Sequence, residues 1–197
     1  MAELYYQGHG SFRIRTDAGK VIYVDPYAGD GYDLPADLIL VTHQHGDPNQ
    51  IQLVTNRSEN CRIFTNEEAL VNGNYRVLGL RWVTVTPVRA ENANHDPSVC
   101  VGYVISVDGK KIYAAGDTSK YPQMAGLKLF HLDWALFPTD GRYNMGPEEA
   151  AECAELCGTK HAIPIHNAFG ALYDREAAER FNFSGRVLVE PGETIEL

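Results

Sequence analysis

His43, His45 and Asp47 alternate in the stretch VTHQHGDPNQ, residues 41–50. Alternate side chains in an open loop can turn toward one point, and imidazole nitrogens and carboxylates are donors that Zn²⁺, Mn²⁺ and Fe²⁺ accept. The chemistry open to such a unit is to hold a divalent ion with one coordination position left for water. Histidines placed for other reasons also produce this pattern, so partners must come from elsewhere in the chain. Pro48 follows Asp47 directly and has no atom that could bind an ion.

The elements that must position these residues are legible as short apolar runs. DLILV (37–41) is a continuous apolar run suited to a strand covered on both faces, and the histidine loop begins at its end. Asp117 follows KKIYAA (110–115), and His166 follows HAIPI (161–165). Loops at strand ends are where α/β folds gather binding groups on a rigid support, so distant residues can share one site. Further strands are expected at ELYYQ, SFRIR, KVIYVD, CRIFT, WVTVTPV, GYVISV, WALFP, RVLVE (186–190) and TIEL. Asp108-Gly109 predicts a two-residue hairpin turn between GYVISV and KKIYAA. Helices are expected at NQIQLVT (49–55), at NEEALV (66–71) with an Asn66 cap, at PEEAAECAELC (147–157) and at DREAAERF (174–181). Neither a repeat nor a linker is visible, which predicts one α/β domain over residues 1–197.

The 197 residues carry a formal net charge of −9 without a cluster of Lys or Arg. Such a balance argues against a nucleic-acid partner, which calls for a basic footprint. MAELYYQGHG lacks the basic start and apolar run of a signal peptide, and no apolar stretch reaches membrane-span length. A cytoplasmic protein without a membrane partner is expected. Cys61, Cys100, Cys153 and Cys157 contain no CxxC spacing and read as buried free thiols.

Taken in order, GHGSFRI, VDPYAG, LILVTHQHGD, NHDPSVCVGYVISVDGKKIYAAGDT, DWALFPTDGRYNMGPEEAAE and KHAIPIHN give the chain a wider likeness. It resembles the metallo-β-lactamase superfamily over nearly its whole length. The branch it looks most similar to is that of small stand-alone metal-dependent hydrolases, which includes ascorbate-6-phosphate lactonase-like proteins. The resemblance implies a four-layer αβ/βα sandwich, two β-sheets face to face with helices outside. It also implies that His43, His45 and His95 ligate a first ion, that Asp117 bridges to a second, and that His166 and Asp47 ligate that second ion. Zn²⁺ is the expected metal, one or two ions, with Mn²⁺ or Fe²⁺ equally suited to these donors.

In the superfamily a histidine usually follows the motif aspartate, where this chain has Pro48. Three readings follow: a second ion completed by an added water, a single-ion enzyme, or a fold that has lost catalysis. Asn49 could offer an amide oxygen in compensation. The leading expectation is a metal-dependent hydrolase of a small molecule, in which a metal-activated water attacks an ester-like or phosphoester bond. Asp47 would position that water or carry its proton. The rival is a non-catalytic binding or regulatory protein that reuses the fold. Around the site, Asp25 could orient a ligand histidine or initiate a turn, and Thr118 could hold the Asp117 carboxylate. Asp140, Arg142, Tyr143 and Asn144 could touch substrate, Phe169 and Tyr173 could wall the pocket, and His9 reads as a turn histidine at the rim.

Overall fold

A computed structural model of the protein describes residues 1–44 and 49–197. The first sheet is built from β1 (Glu3–Gly8), β2 (Ser11–Arg15), β3 (Val21–Val24), β4 (Ala36–Val41) and β5 (Arg57–Thr65) in that spatial order. A short hairpin follows, β6 (Leu70–Val71) with β7 (Asn74–Tyr75). The second sheet contains β8 (Leu78–Leu80), β9 (Val83–Arg89), β10 (Val101–Val107), β11 (Lys110–Ala114), β12 (Trp134–Pro138) and β13 (His161–Ile165), again in order. The last strand, β14 (Thr194–Glu196), returns to the free side of β1.

The two sheets repeat one pairing scheme. β1–β2–β3 are antiparallel and β3–β4–β5 parallel; β9–β10–β11 are antiparallel and β11–β12–β13 parallel. The strand sequences of the two sheets do not themselves repeat, because pairing order constrains burial rather than identity.

Local chemistry accounts for the elements that matter most. The apolar runs of β4 and β12 are buried almost throughout, as strands covered on both faces must be. Asp108 and Gly109 both take positive φ (47° and 74°), the conformation of the expected tight turn. Helix α2 (Pro147–Cys157) starts on a proline and ends where Gly158 adopts a left-handed conformation, its N–H closing on Ala154 and Glu155.

Leu4, Phe12, Ile14, Leu38, Tyr103 and Leu136 belong to the buried core between the sheets. On the outer face of the second sheet, Tyr113 and Phe137 pack with Met124 and Leu127 of a 3₁₀ helix (Pro122–Phe130) and with Cys153 and Cys157 of α2. Burial pushes both of these thiols up to about 12, so they act as packing groups. The outer face of the first sheet, with Tyr23, Ile39 and Val41, is covered by Val54, Tyr32, Leu34 and Ile51. The expected αβ/βα sandwich forms, with unequal outer layers. One is helical; the other, among the described residues, is a loop and a single 3₁₀ turn (Ile51–Leu53).

Several elements differ from expectation. The helix expected at 49–55 shrinks to that 3₁₀ turn. Helix α1 (Asn66–Ala69) has Thr65 at its N-cap position without a side-chain capping bond, and the Asn66 side chain expected to cap it is engaged elsewhere, donating to Val99 O at 2.8 Å and accepting from Gln44. Helix α3 (Arg175–Glu179) is shorter than predicted but keeps the Asp174 side chain as its cap. The strand expected at RVLVE does not form. Arg186 makes an isolated bridge to Ala162, and Gly185 packs so tightly on Lys160 O that an added Cβ would lie 2.1 Å from it. The chain touches the edge of β13 there and leaves.

Hydrogen bonds join the two sheets directly at the end of β4. The Tyr103 hydroxyl of β10 donates to Val41 O at the end of β4 (2.9 Å), and Val101 N donates to Thr42 O (3.0 Å). These bonds fix the point from which the histidine loop departs. Tyr103→Phe is expected to lower unfolding stability by about 1–3 kcal/mol, the usual cost of removing one partner of a buried bond, as measured by chemical denaturation.

Candidate metal centre

Three histidines converge on one buried carboxylate. Asp117 follows β11 through Gly116, whose left-handed φ of 65° brings the backbone against Thr42; a Cβ there would meet the Thr42 Cβ and Val101 O at 3.0 Å. The Oδ2 of Asp117 lies 3.8 Å from His43 Nε2 and 3.8 Å from His95 Nε2. Its Oδ1 lies 3.8 Å from His166 Nε2. All four side chains are buried. The one carboxylate thus faces histidine nitrogens with both of its oxygens, two on one side and one on the other.

The donor atoms of His43, His95 and Asp117 all lie within 4.8 Å of one another. A separation of 3.8 Å is too long for a hydrogen bond and close to the roughly 3.3 Å edge of a tetrahedron whose ligands stand about 2 Å from Zn²⁺. A nitrogen, nitrogen, carboxylate set suits Zn²⁺, Mn²⁺ or Fe²⁺. The residues present fit a divalent ion.

The far side of each imidazole is also held. Thr42 Oγ1 donates its single proton to Asp25 Oδ2 (2.8 Å), so at 2.9 Å from His43 Nδ1 it must accept from that ring nitrogen. His43 is thereby fixed with Nε2 as the lone-pair donor toward Asp117. Asp25 also accepts from Thr42 N (2.7 Å), so it supports His43 through Thr42 rather than by touching the ring. His95 Nδ1 lies 2.9 Å from Asn92 Oδ1, and His166 Nδ1 lies 3.1 Å from Asp140 Oδ2. Asp140 Oδ1 accepts from the backbone N–H of Arg142, Tyr143 and Asn144. Burial alone would push the Asp140 carboxyl up. His166, the backbone N–H groups and the Asn144 amide outweigh it and hold the carboxyl well below the usual carboxylate range.

Three non-glycine residues with positive φ surround the site: His9 (55°), Asp25 (44°) and His166 (46°). Such backbone persists only where neighbouring bonds hold it. Ser11 Oγ donates to Asp25 O (2.6 Å), and His166 N donates to His9 O (2.7 Å). His9 stacks on His166, with ring centroids 3.7 Å apart.

His43, His95, Asp117 and His166 therefore come together, while His45, Asp47 and Pro48 lie outside the described residues. Asn49 donates its amide nitrogen to Gln44. The Thr118 hydroxyl does not meet the Asp117 carboxylate. It bonds Glu91 O and Ser119 O and accepts from Glu91 N, tying the end of β9 to the loop. The Arg142 guanidinium lies over the Phe169 ring at 4.0 Å and near Tyr143 at 5.2 Å. Asn92 was not singled out by sequence reasoning; its position three residues before His95 was the available signal. Beside His43 and His95 opens a cavity of about 550 Å³, its wall including Gln44, Asn66, Glu67, Leu70, Asn94 and Val99.

With the geometry in place, comparison with known proteins is informative. Residues 3–166 match the model of the β-lactamase superfamily domain. A metal-dependent hydrolase of Thermus thermophilus is 31% identical, with 100% of both chains covered. The metallo hydrolase Igni18 of the archaeon Ignicoccus hospitalis superposes with a TM-score of 0.81 at 24% identity, over 98% of this chain and 97% of that one. CmlA of Streptomyces venezuelae, a diiron β-hydroxylase, shares the fold at a TM-score of 0.71 and 14% identity, over 100% of this chain and 54% of its own. One fold therefore carries different reactions, and the fold alone does not choose between them. Sequence match, fold and the cluster of metal-type donors agree: this chain belongs to the metallo-β-lactamase superfamily, in the family of metal-dependent hydrolases represented by the Thermus protein.

Proposed function

We propose that the protein is a metal-dependent hydrolase of a small, uncharged ester-like substrate, with its ion held at His43, His95 and Asp117. The observation that carries this reading is the Asp117 carboxylate, with Oδ2 toward His43 and His95 and Oδ1 toward His166. In this reading His45 completes the first position, and Asp117, His166 and Asp47 form a second, weaker one that Pro48 leaves a ligand short. A bound divalent ion would supply an acidified water as nucleophile and polarise the scissile carbonyl.

The chain's own residues supply the rest. Thr42 and Asp25 keep the His43 ring oriented, and the buried setting strengthens each charge that faces the ion. Asp47, next in the loop, would take the proton of the attacking water and return it to the leaving group. The wall of the adjacent cavity supports an uncharged substrate. Among the described residues it combines amides and aliphatic groups with the carboxylate of Glu67 and carries no Lys or Arg. The loop residues 45–48, His-Gly-Asp-Pro, add none. Of the basic side chains elsewhere, Arg62 is paired with Glu68 and Lys120 with Glu152. A phosphoester substrate is the second reading, favoured by Arg142, which lies in the Asp140 loop and pairs with no carboxylate among the described residues.

Protein purified without chelator is expected to retain one ion per chain, zinc, manganese or iron, by elemental analysis, and to take up a second only when metal is supplied. No ion, and no uptake of Zn²⁺ or Mn²⁺, would overturn the proposal and leave the binding-protein reading. Asp117→Asn is expected to lose both equivalents and hydrolysis together, whereas Pro48→His should retain the second ion through dialysis. In a substrate panel, neutral esters and lactones should be turned over with kcat/KM at least about tenfold above phosphodiesters, the equivalent of about 1.4 kcal/mol in transition-state binding. The reverse order would favour the phosphoester reading.

A further inference from the structure

Asp140 Oδ2 lies 3.1 Å from His166 Nδ1 and accepts a hydrogen bond from Asn144 Nδ2 (2.8 Å). The contacts then continue without a break. Asn92 Nδ2 meets Asn144 Oδ1 at 2.7 Å, and Asn92 Oδ1 meets His95 Nδ1 at 2.9 Å. Asp140, Asn144 and His166 are well covered, and Asn92 is partly so.

The direction of every bond in this chain follows from its first member. Oδ1 of Asp140 faces three backbone N–H groups, which can only donate, so the side chain is an acceptor. The group of Asn144 that faces Asp140 must then be its NH₂, which turns the Asn144 carbonyl toward Asn92. Asn92 in turn must present its NH₂ to Asn144 and its carbonyl to His95. A carbonyl at His95 Nδ1 requires a proton there and leaves the lone pair on Nε2, the atom facing Asp117. His166 receives the same instruction directly.

We infer that Asp140 is a positioning residue that sets the ion-binding tautomer of two histidines at once, His166 by contact and His95 through the amides of Asn144 and Asn92. The two rings lie on opposite sides of the Asp117 carboxylate, so a single acceptor aims both halves of the donor set. Asn94 reinforces the path from the side, its N–H bonding Asn92 Oδ1 (2.8 Å) and its amide bonding Tyr143 O (3.1 Å).

This inference rests on the proposed metal centre only for its purpose, and the test reads the metal-free protein. Asp140→Asn keeps the shape but reverses polarity. Its carbonyl is claimed by the three backbone N–H groups, so its NH₂ faces His166 and Asn144. His166 should move its proton from Nδ1 to Nε2, and both amides are driven to turn over against the single Asn94 N–H that holds Asn92 Oδ1, which would carry the His95 proton to Nε2 as well. In the double variant Asp140→Asn/Asn144→Leu the path is cut, so His95, still facing the Asn92 carbonyl that the Asn94 N–H holds, should keep its proton on Nδ1 while His166 moves its own. The measurement is the ring ¹⁵N shifts of His95 and His166 in the full-length, metal-free protein, at a pH where both rings are neutral. Zn²⁺ affinity is expected to fall about 10–100-fold in Asp140→Asn, as for other residues that orient metal ligands. An Asp140→Asn protein whose His95 keeps its proton on Nδ1 would overturn the relay, as would a double variant whose His95 still moves its proton. If Asp140→Asn does not fold, Asp140→Ala, which withdraws the acceptor from His166, is read in its place, and a His166 that keeps its proton on Nδ1 there overturns the positioning role. Expected tautomers together with no Zn²⁺ uptake by the unmutated protein would uphold the relay and overturn the hydrolase proposal instead.

Discussion

The site depends on the hydrogen bonds that join the two sheets at the Val41–Thr42 turn. Tyr103 and Val101 of the second sheet hold the last carbonyl of β4 and the next one. That junction places the start of the histidine loop against the strand that leads, through Cys100 and Asp96, back to His95. It also sets Thr42 where Gly116 can approach it, and Gly116 delivers Asp117. Three segments far apart in sequence are thus located by contacts within a few residues of one turn. A donor set needs this precision, because ligand positions off by an ångström lose most of what a metal site offers.

Orientation is a separate requirement from position, and the protein meets it with short polar chains ending in aspartates. Asp25 holds His43 through Thr42, and Asp140 touches His166. Each imidazole could present either nitrogen, and only an acceptor on the far side decides which one faces inward. Buried carboxylates are costly unless well bonded, and both of these accept several N–H or O–H groups. The cost is borne where it fixes the chemistry.

The strand framework was legible in the sequence because buried strands are runs of Val, Ile, Leu, Tyr and Phe closed by Gly and Asp. SFRIR, WALFP and the Asp108-Gly109 turn form as read. RVLVE failed for a tertiary reason: its apolar residues are consistent with a strand, but only Arg186 bridges the edge of β13. Of the site, the loop histidine His43, Asp117 and His166 could be found from strand-end placement, and His95 needed the family resemblance. Asn92, Asn144 and the contact of Asp140 with His166 could not be found at all, since they are set by side chains meeting across loops, 52 residues apart for Asn92 and Asn144 and 26 for Asp140 and His166. Thr118 misled because adjacency to Asp117 in sequence says nothing about where its hydroxyl turns.

The shared pairing scheme of the two sheets gives these residues a common origin in the fold. Thr42 and His43 follow β4 as Thr139 and Asp140 follow β12, while Asn66 and His166 come directly after β5 and β13. His9 lies in the β1–β2 connection and His95 in the β9–β10 connection; Asp25 ends β3 and Asp117 lies beyond β11. Matching places in the two halves thus carry a histidine opposite a histidine, an aspartate opposite an aspartate, and the His43 ring opposite the Asp140 carboxylate. The protein is a pair of similar scaffolds that have divided the labour: at each matched place one member faces the centre and its twin braces a neighbour. Neither half alone holds a complete site, and the seam between them is where the chemistry can reside.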